Sequence, residues 1–221
     1  MNTKFHELKE GQNMQTRKFD QTSKVKPTIA FYSRKNRAMM PCESRLEADA
    51  LLSLEFDPRI LKYVTQPCSI TYMVNGKSTR YTPDVLVIYH DNTCKFLEIK
   101  PLNKAQKPKF IAKFLQLQDY FSSEIGHPIE LILDKDVRKG EKASNMRLLY
   151  RFFDVKLDQK VVEKVLNIAR RIDKPTLEKI EHLFCELGEN ASCAWALVAN
   201  QSLKFNNHKL LTRQTTVEVA A

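Results

Sequence analysis

Glycine is scarce, and its distribution excludes much. The five glycines (Gly11, Gly76, Gly126, Gly140 and Gly188) lie far apart. The chain therefore has no phosphate-cradling P-loop and no dinucleotide fingerprint. A G-x-S-x-G nucleophile elbow is also missing. Cys42, Cys68, Cys94, Cys185 and Cys193 form no C-x-x-C pair, and their number is odd, so no disulfide framework is predicted. His182, Cys185 and Cys193 share one stretch, but no second close pair accompanies them as a zinc site would need. The amino terminus has no apolar core, and the longest apolar run, residues 85–89, is far too short to span a bilayer. These absences predict a soluble, cytoplasmic protein with reduced thiols, no membrane association and no loop-bound nucleotide.

What is present is an ordinary globular composition with a basic surplus. Lys and Arg number 36 against 26 Asp and Glu, and the net charge of +10 favours a polyanionic partner such as nucleic acid. Residues 1–28 are polar and lysine-rich and read as a flexible basic tail. Residues 43–55 carry Leu46, Ala50, Leu51 and Leu54 at helical spacing. Three strand-like segments follow, at 61–74, 80–89 and 94–100, with Asn75-Gly76 as a hairpin signal. A helix at 103–120, a strand at 128–133 and a helix at 141–150 complete the order α-β-β-β-α-β-α. That order predicts an α/β domain over residues 29–150, a mixed sheet flanked by helices. Residues 151–221 predict three helices and a hairpin around Asn206-Asn207, the pattern of a winged-helix domain. Its third helix, ASCAWALVAN, contains neither Lys nor Arg, so a protein partner suits it better than a DNA groove. Trp195 in that helix reads as core.

The segment YTPDVLVIYHDNTCKFLEIKP carries the chemistry. A short polar turn at 90–93 makes its two strands antiparallel neighbours, which sets Asp84 beside Glu98 and Lys100. Strand alternation puts Glu98 and Lys100 on one face and Ile99 on the other. Pro-Asp and Glu-x-Lys are each common, so their placement on adjacent strands carries the argument. Asp84 and Glu98 are hard oxygen ligands suited to Mg²⁺, with Mn²⁺ a possible substitute. Lys100 can orient the attacking water or offset charge in phosphodiester hydrolysis. Glu47 on the preceding helix is a third candidate carboxylate, with Glu43 one turn earlier as its alternative, and the Ile99 carbonyl is a further candidate ligand. Lys104, Lys107, Lys109 and Lys113 follow directly and can grip DNA phosphates or form a solvated helix face. Arg34, Lys35 and Arg37, near Tyr32, can likewise track a backbone. His127 reads as a loop residue.

The succession SRLEADALLSLEFDPRILKYVTQP, GKSTRYTPDVLVIY and KFLEIKP resembles the TnsA endonucleases of heteromeric cut-and-paste transposons. The resemblance spans about residues 40–101, and the helical carboxy-terminal domain of that family fits residues 150–221 in length and character. It implies a restriction-endonuclease-like (PD-(D/E)XK) fold with Glu47 as helix carboxylate, Asp84 as central metal ligand, Glu98 as the E-x-K acid and Lys100 as catalytic lysine. Some members have Gln where this chain has Glu98. The resemblance also implies a bacterial transposase subunit, nucleoid-associated when assembled, acting on double-stranded DNA at transposon ends. In that family this subunit nicks the 5′ ends, TnsB cuts and joins the 3′ ends, and the carboxy-terminal domain engages the AAA+ regulator TnsC. A free-standing restriction or repair nuclease of the same fold, and a non-cleaving adaptor that binds DNA or TnsC, are the competing functions.

Overall fold

The computed structural model describes residues 29–220 apart from Asn75. The predicted tail over residues 1–28 lies outside the described residues, as does Asn75 of the predicted hairpin turn. Two compact units divide between Val137 and Arg138.

The first unit is built on a four-stranded sheet in the order β3-β6-β7-β8: β3 (Ile60–Thr65), β6 (Val85–Tyr89), β7 (Cys94–Lys100) and β8 (Ile129–Leu133). β6 is antiparallel to both β3 and β7, and β8 is parallel to β7. The sheet is therefore mixed, as the sequence predicts. β6 reads VLVIY without polar alternation because both of its faces are covered. Leu86 and Ile88 enter one core with Phe96, Phe114, Leu117 and Phe121. Val85 and Val87 enter a second with Leu46, Leu51, Tyr63, Leu97 and Ile99.

The first face is covered by the hairpin β4 (Ile70–Val74) and β5 (Lys77–Tyr81) and by helix α3 (Pro108–Tyr120) with the π-helical turn Phe121–Ile125. On the second face lie the hairpin β1 (Ile29–Ser33) and β2 (Ala38–Cys42), helix α1 (Arg45–Glu55) and the short helix α4 (Asp134–Val137). Ser44 caps α1 by accepting the Glu47 N–H.

Three predicted elements divide where proline or a left-handed residue interrupts them. The 61–74 segment separates into β3 and β4 around Gln66-Pro67, where Gln66 takes a φ of 45°. The 80–89 segment separates into β5 and β6 around Thr82-Pro83. The 103–120 helix divides into α2 (Leu102–Ala105) and α3, because Pro108 can begin a helix but cannot continue one. The hairpin β1–β2 was not predicted. Its tip is held by Glu55, which accepts from the Ser33 and Tyr63 hydroxyls at 2.6 Å each and from the Arg34 and Lys35 amides.

The second unit contains helices α5 (Lys142–Tyr150), α6 (Gln159–Ala169), α7 (Leu177–Glu186) and α8 (Ser192–Ala199) and the strand pair β9 (Leu203–Lys204) and β10 (Glu218–Val219). Asp158 and Thr176 cap α6 and α7. Two expectations change here. The sequence pattern places residues 141–150 in the first domain, whereas α5 lies in the second compact unit. Its buried Asn145 accepts the Leu211 N–H and donates to the Lys209 carbonyl, each at 2.8 Å. A turn does close at Asn206-Asn207, where the Lys209 N–H donates to the Asn206 carbonyl at 3.2 Å, but no strand pairing continues across it. Asn145 holds the backbone past that turn, and β9 pairs instead with β10. Among the described residues no helix is long and apolar enough to cross a membrane.

Candidate active site

Alternation along β6 and β7 assembles the site. Asp84 stands one residue before β6 and keeps its ladder: its N–H donates to the Leu97 carbonyl at 3.1 Å, and its carbonyl accepts the Gln66 N–H at 2.8 Å. Asp84 shares the face of Leu86, and Glu98 and Lys100 share the face of Phe96, so all three meet at one end of the sheet. Lys100 Nζ lies 2.5 Å from Glu98 Oε1 and 3.7 Å from Asp84 Oδ2. The Ile99 N–H donates to Asp84 Oδ2 at 2.7 Å. In an extended strand the N–H and C=O of one residue point to the same side, so the Ile99 carbonyl also faces the Asp84 side.

Tyr81, the last residue of β5, reaches the same cluster, and its hydroxyl donates to Glu98 Oε2 at 2.5 Å. Glu98, only 5% exposed, thus has one oxygen on an ammonium and the other on a phenol. Sequence reasoning passed over Tyr81, because nothing local tells over which strand a neighbouring hairpin will lie.

The charges do not balance. Burial, and then the Glu98 charge, push Asp84 up to about 7, against the opposing pull of Lys100 and the Ile99 N–H. Burial works against the Lys100 ammonium, yet Asp84 and Glu98 hold its pKa above the ordinary lysine value. Burial and the Glu98 charge drive the Tyr81 phenol far above its usual range, which keeps it a donor. Two crowded carboxylates with one lysine suit a hard divalent cation. Asp84 Oδ1 accepts no hydrogen bond among the described residues.

Glu47 is placed differently. It sits on α1, which packs against the opposite face of the sheet, and it adds to the field at Asp84 and Lys100 only through its charge. Its Oε2 accepts the Glu43 N–H at 2.7 Å and its Oε1 accepts the Ser44 hydroxyl at 2.9 Å, while the Glu47 N–H donates back to Ser44 Oγ, so S-R-L-E folds as a variant of the capping box that reaches one residue further back. Glu43 Oε1 in turn accepts from Gln66 Nε2 at 2.8 Å. Among the described residues no group of three or more His, Cys, Asp or Glu side chains is gathered as a ready metal cage. Asp84 Oδ1 is open to a cation, whereas Glu98 would share its oxygens with Lys100 and Tyr81, and Glu47 with the Glu43 N–H and the Ser44 hydroxyl.

The surrounding lysines divide as well. Lys104, Lys107, Lys109 and Lys113 are exposed, and Lys113 Nζ lies 5.4 Å from the centre of the Tyr81 ring, next to the site. Lys35, by contrast, donates to the Asp57 and Ile60 carbonyls at 2.9 and 2.6 Å, so it braces the β1–β2 hairpin and cannot track a DNA backbone. The His127 backbone N–H closes onto the Phe121 carbonyl at the end of the π-helical turn.

A mixed α/β sheet with Asp, Glu and Lys converging at one end is the architecture of a nuclease-like domain. Residues 57–126 match the family model described as TnsA-like endonuclease N terminal, a span that includes Asp84, Glu98 and Lys100 and excludes Glu47. The match makes this stretch similar to the TnsA-like endonuclease N-terminal domain and supports a TnsA-type endonuclease. No curated protein matches the chain.

Proposed function

We propose that the chain is the metal-dependent DNA endonuclease subunit of a cut-and-paste transposase, nicking the 5′ ends of the element while a TnsB-type partner cuts the 3′ ends. The observation that carries this reading is the convergence of Asp84, Glu98 and Lys100 with more carboxylate than ammonium charge. Asp84 and Glu98 would hold Mg²⁺, or Mn²⁺ in its place, with the Ile99 carbonyl and a released Glu47 as further ligands. When bound, such an ion polarises the scissile phosphate and lowers the pKa of water. Lys100 orients the attacking water and offsets charge on the phosphorane-like transition state. The exposed lysines beginning at Lys104 and running to Lys113 beside Tyr81 grip the DNA backbone, consistent with the net charge of +10.

The second unit is the partner-binding module. Its helix α8, SCAWALVA, carries no cation to read a groove, and its four helices with a strand pair suit a winged-helix domain that docks on a protein such as TnsC. The working location is the bacterial cytoplasm, on the nucleoid when assembled.

The test is strand-specific cleavage of labelled transposon ends by the full chain with TnsB, TnsC and Mg²⁺, comparing wild type with Asp84→Ala and Lys100→Ala. The 5′ nick should vanish in both variants while 3′ cleavage persists. Identical products from all three would make the chain an adaptor. Cleavage by the isolated wild type, without partners, would favour a free-standing nuclease.

A further inference from the structure

We propose that Tyr81 is the positioning residue of this site, a neutral clamp that keeps one oxygen of Glu98 away from Lys100 and so leaves the carboxylate available to a divalent cation. The inference rests on the metal-dependent reading above and names a residue that reading does not need.

The geometry begins with how firmly the phenol is seated. Tyr81 is 8% exposed, and its ring meets Phe121 edge-on at 6.1 Å. Phe121 in turn meets Phe96 at 4.9 Å, and Phe96 stands two residues before Glu98 on the same face of β7. The hydroxyl is thus fixed by aromatic packing tied to the strand that carries Glu98, and Lys113 covers the ring from another side. A tightly packed ring cannot swing away without opening a void.

The chemistry follows from the two donors on Glu98. Lys100 on Oε1 cancels charge, whereas the Tyr81 hydroxyl on Oε2 fixes orientation and leaves the charge intact. Without the phenol, the carboxylate can turn both oxygens onto the ammonium, and a cation would then compete with Lys100 for each of them. Outer partners that orient metal-binding carboxylates commonly govern affinity over about 10- to 100-fold. A matched control lies in the same hairpin: the Tyr72 hydroxyl is buried without a hydrogen-bond partner among the described residues, so Tyr72→Phe deletes the same atom with nothing attached.

The experiment is a Mn²⁺ titration of the full chain, read by the electron paramagnetic resonance signal of free Mn²⁺, on wild type, Tyr81→Phe, Tyr72→Phe and Asp84→Ala. Tyr81→Phe should weaken binding by about 10- to 100-fold, with Tyr72→Phe unchanged and Asp84→Ala losing the site. Phe121→Leu keeps the hydroxyl but loosens its seat, and it should show an intermediate loss, which provides a reading should Tyr81→Phe fold poorly. Wild-type affinity in Tyr81→Phe or Phe121→Leu, alongside a loss in Asp84→Ala, overturns the Tyr81 assignment and leaves the metal site standing. Wild-type affinity in Asp84→Ala overturns the metal site itself, and the assignment with it.

Discussion

Of the three buried glutamates among the described residues, Glu98 in the first unit and Glu181 in the second are held in nearly the same way. Glu98 is 5% exposed and Glu181 is 4% exposed. Glu98 accepts from the Tyr81 hydroxyl and pairs with Lys100. Glu181 accepts from the Trp195 indole N–H and from Arg213 Nε, both at 2.6 Å. The difference lies in the second acid that shares the cation. Beside Arg213 it is Glu178, whose side chain is one-third exposed and also accepts from Gln214. Beside Lys100 it is the less exposed Asp84, whose carboxyl is pushed up to about 7 by burial and then by the Glu98 charge. Water reaches the surplus charge more freely at Glu178, 33% exposed, than at the Asp84 side chain, 19% exposed. The same clamp therefore makes a structural tie in the second unit and an unbalanced, cation-seeking cluster in the first.

The comparison breaks most visibly at Lys100. Lys100→Ala should lower 5′-end cleavage by about 10³-fold, the range expected for a group that serves proton transfer or transition-state charge. Thermal melts of the same variant would separate this from unfolding. If cleavage fell only in proportion to folded protein, Lys100 would be a tie like Arg213.

Asp84→Asn should reveal the imbalance as stability. The folded carboxyl near 7 lies above the ordinary aspartate value of 3.8, so between those values the folded state holds the proton more tightly than the unfolded state. Wild-type stability contributed by this group is therefore greatest below pH 4, falls as pH rises through that window and levels off above pH 7. The Asn variant lacks this fall, and in chelator at pH 8 it should exceed wild type by on the order of 2–4 kcal/mol, with the gap closing towards pH 4. Urea melts across pH 4–8 measure it, and a gap that does not change with pH would mean Asp84 is no more strained than an exposed acid.

At Glu181 the expectation reverses. Glu181→Ala removes a satisfied acceptor and strands the Trp195 N–H, which is also stacked on Phe152 at 5.4 Å. A loss of about 2 kcal/mol is expected by urea denaturation. A gain would show that this cluster, too, carries uncompensated charge.

How much of this contrast the sequence reveals depends on whether the cause is local. Asp84, Glu98 and Lys100 are legible because period-two alternation and a short turn suffice to bring them together. Glu47 shows the limit of such reading, since one tetrapeptide, S-R-L-E, supports both a capping box and a metal carboxylate, and only its rotamer decides. Tyr81 and Asn145 act through partners 17 and 66 residues away, and no periodicity encodes which hairpin crosses Glu98 or which helix binds Leu211. The left-handed Gln66 before Pro67 is hidden similarly, because β-branched residues on both sides suggest one continuous strand.

The smallest effect tests the contrast at the level of a single hydroxyl. Tyr72 and Tyr81 lie on paired strands of one hairpin, and both phenols are raised above the usual tyrosine range, first by burial. Only the Tyr81 hydroxyl meets a carboxylate; that of Tyr72 is buried without a partner among the described residues. Tyr72→Phe keeps the ring, including its tilted contact with Tyr120 at 5.7 Å, and removes an unsatisfied polar atom. It should stabilise the protein by up to about 1 kcal/mol, whereas Tyr81→Phe, which removes a donor from a buried carboxylate, should cost about 1–2 kcal/mol. Paired urea melts decide the matter. Equal losses in the two variants would mean that the Tyr72 hydroxyl is satisfied after all, and that the difference between the two phenols is one of neighbourhood and not of partnership.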